Sequence, residues 1–161
     1  MGLSTEVTFL LTPGLTRVQQ RAAAERHLGE QVSRLCPRCG SADHGRPRLR
    51  WRRLSLAYVD GLVAIAVSDR PVGVDAESAG APPTPFSDRQ AWTRAEAVLK
   101  LTGEGLRRDP ATVTDDEAWT LTLTAPPGYV ATLASAEPLD VSVRTETAAA
   151  TVRPATDAAP T

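Results

Sequence analysis

Residues 53–77 read RLSLAYVDGLVAIAVSDRPVGVDAE. This stretch divides into three strands, at 53–58, 62–67 and 72–77, separated by two turn signals. Asp60-Gly61 between two apolar runs is the dipeptide that favours a tight hairpin. Asp69-Arg70-Pro71 removes a backbone donor and sets a second turn. The run from Leu62 to Val67 is the longest apolar stretch and has strand length. Working outward, residues 5–11 (TEVTFLL) are β-prone and stop at Pro13-Gly14. Thr16 then caps a helix predicted over 17–35, with Val18, Ala22, Leu28, Val32 and Leu35 as its apolar stripe. Residues 36–50 (CPRCGSADHGRPRLR) form a Pro/Gly/Arg-rich connector. Beyond residue 77, 79–85 (AGAPPTP) reads as a linker. A second helix over 87–102 is capped by Ser87 or Asp88 and stopped at Gly103. A polar loop spans 107–116. Strands follow at 118–123 and 129–134 around Pro126-Pro127-Gly128, with a last one at 139–143. The fold class is α+β, with an N-terminal lobe over 1–78 and a C-terminal lobe over 79–147. Residues 148–161 are Ala, Thr and Pro with few large aliphatics and are expected to be a disordered tail.

The chain has 161 residues and a formal net charge of -1. That length suits one domain or two small lobes sharing a core. Near-neutral charge removes the broad basic footprint of a nucleic-acid binder, so nucleic acid is not an expected partner, despite the Arg46–Arg53 cluster. No apolar run approaches the ~18 residues of a membrane span, and the first residues lack a basic segment followed by a cleavage motif. Two cysteines cannot build a disulfide framework, and the expected setting is reduced and cytoplasmic. Of the 18 basic residues 17 are Arg, and the one Lys is Lys100. An ammonium retained against that bias hints at a point-charge role.

Asp75 and Glu77 are two residues apart on a strand, so both carboxylates lie on one face. Two like charges there suit a hard divalent cation such as Mg²⁺. Trp92, Glu96 and Lys100 are spaced four apart on the second helix and share a face. Glu96 can be a third metal ligand or a general base, and Lys100 can neutralise phosphate oxygens. Taken alone, either group also reads as ordinary solvated side chains. Cys36-x-x-Cys39 with His44 offers three zinc ligands, with a fourth to come from His27, Asp43 or elsewhere. Structural zinc usually takes four protein ligands, so the segment is read as a free-thiol turn.

Together these segments resemble the Sfp-type 4'-phosphopantetheinyl transferases. Gly73-Val74-Asp75-Ala76-Glu77 is similar to the family's G-[VI]-D-x-E strand. Trp92-Thr93-Arg94-Ala95-Glu96-Ala97-Val98-Leu99-Lys100 is similar to its W-[ST]-x-K-E-[AS]-x-x-K helix. Cys36-Pro37-Arg38-Cys39-Gly40 followed by His44-Gly45-Arg46-Pro47 resembles C-P-x-C-G…H-G-[RK]-P, and Leu101-Thr102-Gly103-Glu104-Gly105-Leu106 resembles A-T-G-x-G-L. The likeness covers about residues 36–134. It implies two small pseudo-symmetric lobes, each a helix on an antiparallel sheet, with the site between them. It also implies transfer of the phosphopantetheine arm of coenzyme A to a serine of an acyl or peptidyl carrier protein. By the same resemblance Asp75, Glu77 and Glu96 hold Mg²⁺, and Glu96 and Lys100 are catalytic. Arg46, Tyr58, Asp75 and Lys100 contact coenzyme A, with help from Arg48 and Arg50.

Three departures stand out. Tyr58 replaces a family histidine that contacts phosphate, and tyrosine carries no charge near neutral pH. Ala95 replaces a family lysine, with Arg94 beside it as a substitute, and restoring Tyr58→His together with Ala95→Lys is expected to raise coenzyme A affinity. Only 14 residues separate Glu77 from Trp92, where the family carries a longer insertion; dimerisation could compensate, so monomer and homodimer both fit. The alternative is a repurposed relative in natural-product biosynthesis, a tailoring enzyme or non-catalytic partner that no longer uses coenzyme A.

Overall fold

The computed structural model describes residues 4–149. In chain order the elements are β1 (Ser4–Leu11), α1 (Arg17–Leu28), β2 (Arg53–Val59), β3 (Leu62–Ser68), β4 (Val72–Ser78), α2 (Arg89–Thr102), β5 (Trp119–Leu123), β6 (Tyr129–Ser135) and β7 (Asp140–Thr147). Two single 3₁₀ turns, Gly105–Arg107 and Pro110–Thr112, break up the polar loop after α2. The chain is thus α+β, with two small sheets and two helices. One sheet has the order β2-β3-β1-β7 and the other β4-β6-β5. No helix among the described residues is long and apolar enough to cross a membrane.

Alternation along the strands sorts the side chains into layers. Val7 and Phe9 of β1, Leu62, Ala64 and Ala66 of β3, Val72, Val74 and Ala76 of β4, and Ala131 and Leu133 of β6 form one shared core between the inner faces. Each fully buried Phe, Leu or Val there contributes roughly 1.5–3 kcal/mol. Leu10, Val63 and Ile65 point the other way and pack with Ala23 and Ala24 of α1. The opposite face of β4, bearing Gly73, Asp75 and Glu77, is left for α2. The Asp60-Gly61 turn is pinned across the sheets by the Tyr129 hydroxyl, which donates to the Asp60 carbonyl at 2.7 Å.

The structure departs from the sequence expectations in four places. First, α1 stops at Leu28, not residue 35, because Gly29 takes the left-handed conformation (φ 71°) and caps it; glycine adopts that region without steric cost. Val18 and Leu35, both expected on its apolar stripe, are exposed, and the buried face of α1 is Gln20, Ala23 and Ala24. Gln20 is accommodated because its amide donates to Thr12 Oγ1 and to the Val59 and Leu62 carbonyls. Second, the larger sheet is mixed, not antiparallel: β7 runs parallel to β1, from Ser4 opposite Asp140 to Leu11 opposite Thr147. Third, sheet membership crosses the 78/79 boundary. β4 pairs with β6, and β7 returns to β1. Fourth, Ala148, placed in the tail by composition, donates its N–H to the Leu11 carbonyl. Residues 150–161 of that expected tail lie outside the described residues.

Candidate active site between β4 and α2

The site begins with close approach. A Cβ at Gly73 would lie 2.0 Å from the Ala97 carbonyl oxygen and 2.5 Å from the Leu101 amide nitrogen. The absent side chain lets α2 lie directly on β4. Asp88 caps α2, accepting from the Ala91 N–H at 2.7 Å, and Gly103 ends it in the left-handed conformation (φ 76°). Four-residue spacing then aims Trp92, Glu96 and Lys100 along the outer face of β4. Trp92 Nε1 donates to Glu77 Oε1 at 3.2 Å, and Phe86 supports its indole edge-on at 5.1 Å. Lys100 Nζ donates to Asp75 Oδ1 at 2.7 Å, to the Val74 carbonyl at 3.0 Å and to the Leu56 carbonyl at 3.4 Å.

Asp75 is buried, and burial pushes its carboxyl up to about 6. The Lys100 ammonium pulls it down, while the charges of Glu77 and Glu96 push it further up. Burial also raises Glu96, against Lys100 and with Glu77. Three carboxylates thus repel one another across one face with a single ammonium among them. Asp75 Oδ2 is buried with no hydrogen-bond partner. An unpaired buried carboxylate oxygen among acidic neighbours is chemically matched to a hard cation such as Mg²⁺. The three do not draw together tightly: among the described residues, the one set of three or more ligating side chains with all donor atoms within 4.8 Å is Cys36, Cys39 and His44.

Lys100 also borders a cavity of about 350 Å³ between the connector, β2 and the C-terminal end of α2. Leu54, Leu56 and Leu99 make its apolar wall, and Arg21, Arg34, Arg46, Tyr58 and Lys100 its polar one. Arg46 is tethered by donating to the Leu101 carbonyl at 3.2 Å. Partial burial and the charges of Arg48 and Arg53 push its pKa down, a concentration of positive charge that an anion would relieve. Arg34 donates to the Tyr58 hydroxyl at 3.2 Å, and the Arg17 guanidinium lies 4.8 Å from the Tyr58 ring centroid. Arg50 stacks on Trp51 instead.

The structure therefore brings Asp75, Glu77, Glu96 and Lys100 to one face, and joins Lys100, Arg46 and Tyr58 in one cavity. Sequence reasoning missed Arg21 and Arg34. In a chain whose cations are nearly all arginine, neither stands out, and only the fold carries them to Tyr58. Arg94 does not stand in for the missing lysine, since its Nη2 pairs with Asp115 Oδ1 at 2.6 Å. Ala95 is fully buried under α2 with Ala134, Val98 and Leu99. A lysine there would bury an unpaired ammonium, so Ala95→Lys is expected to cost about 3 kcal/mol or more rather than improve binding. Thermal melting checks this; an Ala95→Lys protein as stable as wild type would mean the lysine finds an exit.

No protein-family model matches the sequence, and no curated protein does.

Proposed function

We propose that this chain transfers the 4'-phosphopantetheine arm of coenzyme A to a serine hydroxyl of an acyl or peptidyl carrier protein, with Mg²⁺. The carrying observation is Lys100, which ties the buried Asp75 carboxylate to the cation-lined cavity through one ammonium group. The D-x-E strand and the W-x-x-x-E-x-x-x-K helix thus interlock beside a pocket suited to a diphosphate. With this function goes the finer reading of the fold as two related halves around a shared site.

The cavity arginines Arg21, Arg34 and Arg46 bind and orient the phosphates of coenzyme A, where guanidinium forks match phosphate oxygens. Tyr58, positioned by Arg34, contributes one hydroxyl where the family has histidine. Asp75, Glu77 and Glu96 would hold Mg²⁺, which when bound neutralises charge developing on the diphosphate. Trp92 fixes the Glu77 carboxylate. Glu96, its proton affinity raised by burial, accepts the proton of the attacking carrier serine. The serine oxygen bonds to phosphorus as the bond to adenosine 3',5'-bisphosphate breaks. The three donors of Lys100 are all engaged, and its longest bond, to Leu56 on the cavity wall, is the one a phosphate oxygen displaces.

The test is intact-mass spectrometry of apo carrier proteins incubated with coenzyme A, Mg²⁺ and this chain. A gain of one phosphopantetheine per carrier is expected, and Arg21→Ala with Arg34→Ala should together raise KM for coenzyme A about 100-fold or more, since each charged hydrogen bond lost is worth ~1.5–3 kcal/mol. No gain on any carrier, beside a working control transferase, would overturn the reading. One observation favours a repurposed relative: Asp75, Glu77 and Glu96 do not line the cavity. On that reading coenzyme A with Mg²⁺ leaves the melting temperature unchanged, whereas a bound substrate must raise it.

A further inference from the structure

The connector between α1 and β2 has almost no core of its own. Residues 37–40 are exposed, as is most of Leu35. Its base is closed by reciprocal backbone bonds, Ser33 N–H to the Arg48 carbonyl at 3.1 Å and Arg48 N–H to the Ser33 carbonyl at 2.9 Å. Inside that base it folds into a tight knuckle. The Gly40 N–H donates to the Cys36 carbonyl at 2.8 Å, and the Cys36 N–H to the Ser41 carbonyl at 2.9 Å. Gly40 is left-handed (φ 71°).

The returning strand of the loop then brings His44 back. Gly45 (φ 111°) makes this possible, because a Cβ there would lie 2.7 Å from the Leu35 carbonyl oxygen and 2.9 Å from the Cys36 nitrogen. His44 Nε2 comes to 3.2 Å from Cys39 Sγ. The donor atoms of Cys36, Cys39 and His44 all fall within 4.8 Å of one another. Sulfur at about 2.3 Å and nitrogen at about 2.0 Å from a tetrahedral zinc are about 3.5 Å apart. The cluster is close to that spacing already. Neither cysteine is in a disulfide. His27 is not near the cluster's service: its Nδ1 lies 3.2 Å from Glu146 Oε2.

We propose that Cys36, Cys39 and His44 bind one Zn²⁺, with solvent in the fourth position, and that this ion staples the connector. Two thiolates and an imidazole are a borderline-soft set that selects zinc over Mg²⁺, so the site is chemically separate from Asp75, Glu77 and Glu96. Its place gives it a role. His44, Gly45, Arg46 and Pro47 run consecutively along the cavity wall, so the ion fixes the segment that carries Arg46. Binding displaces the thiol protons, and it weakens as pH falls.

The experiment uses the full chain, stripped with chelator under a non-thiol reductant and titrated with Co²⁺ as a spectroscopic stand-in. One Co²⁺ per chain is expected, with an intense thiolate-to-cobalt charge-transfer band that stoichiometric Zn²⁺ abolishes. Cys39→Ser and His44→Gln should each weaken binding about 100-fold or more, since even outer-shell changes cost 10–100-fold. Gly45→Ala, which removes no ligand, should weaken it about tenfold by holding His44 away, and His27→Gln should leave it unchanged. All four positions are tested alongside circular dichroism, so that loss of metal is read only on folded protein. Absence of the thiolate band in the wild type, or a full band in a folded Cys36→Ser/Cys39→Ser double variant, would overturn the assignment. Because the readout is metal binding and not phosphopantetheine transfer, failure here and failure of the transferase reading are distinguishable.

Discussion

Asp75→Asn is expected to abolish transfer to carrier protein while making the metal-free protein harder to unfold. On the proposed transferase reading activity should fall by about 10³-fold or more, because the substitution removes the buried carboxylate that Mg²⁺ would share with Lys100. Stability should move the other way. The Asp75 carboxyl rises from 3.8 to about 6 on folding, so the native state binds its proton more tightly than the unfolded chain does. A raised acid destabilises the fold above its folded value. The Asp75 contribution is therefore most favourable below about 4, declines as pH climbs from about 4 to about 6, and stays lower at neutral pH. By linkage the decline is on the order of 3 kcal/mol. Urea titrations at pH 5 and pH 7.5 without divalent ions measure it. The wild type should gain stability at the lower pH, and Asp75→Asn should flatten that difference. Mg²⁺ should stabilise the wild type at pH 7.5 and leave the Asn variant unmoved. An Asp75→Asn protein that unfolds more easily than wild type at pH 7.5 would show that the carboxylate is a net stabiliser, contrary to its burial.

Gly73→Ala should do comparable damage by a mechanical route. The added methyl would meet the Ala97 carbonyl and the Leu101 amide of α2 at 2.0 and 2.5 Å. Both are backbone atoms inside a regular helix, so no side chain can swing aside. α2 must lift from β4. Overpacking usually costs 1–3 kcal/mol, and a clash with main chain belongs at or above about 3. Lifting the helix also separates Lys100 from Asp75 and Trp92 from Glu77, so transfer should fall even in whatever fraction folds. Chemical denaturation with parallel activity assays tests both halves. A Gly73→Ala protein with wild-type midpoint and rate would mean the helix has slack that its contacts do not suggest.

Much of this arrangement was legible in the residues. Period-two alternation over 72–77 puts the valines inward and the acids outward, and four-residue spacing puts Trp92, Glu96 and Lys100 on the face that meets them. Turn chemistry at Asp60-Gly61 and Pro126-Pro127-Gly128 fixed the hairpins. What could not be read depends on distant chain. Nothing in 140–147 says that it pairs with β1, and parallel at that, because pairing partners are not a local property. The short end of α1 reflects two competing local signals, in which Gly29 stops a helix that the spacing of Val32 and Leu35 would continue. Ala95 shows the limit of motif comparison: its neighbours resemble a transferase helix motif, yet burial against Ala134 assigns it to packing. Arg21 and Arg34 were hidden by composition and exposed by topology.

The parallel seam between β1 and β7 bears on how the molecule is made. Thr8 on the first strand meets Arg144 on the last at a sequence separation of 136. While the chain is emerging from a ribosome, β1 can pair with β3 on one side, but its other edge stays bare until β7 appears. An unpaired strand edge is a template for joining other chains, and contacts this far apart in sequence form late and slowly. The interval between synthesis of residue 68 and residue 147 is thus the period in which this protein is most exposed to aggregation, and a truncation that spares the whole face of Asp75, Glu77, Glu96 and Lys100 but removes β7 should yield insoluble protein.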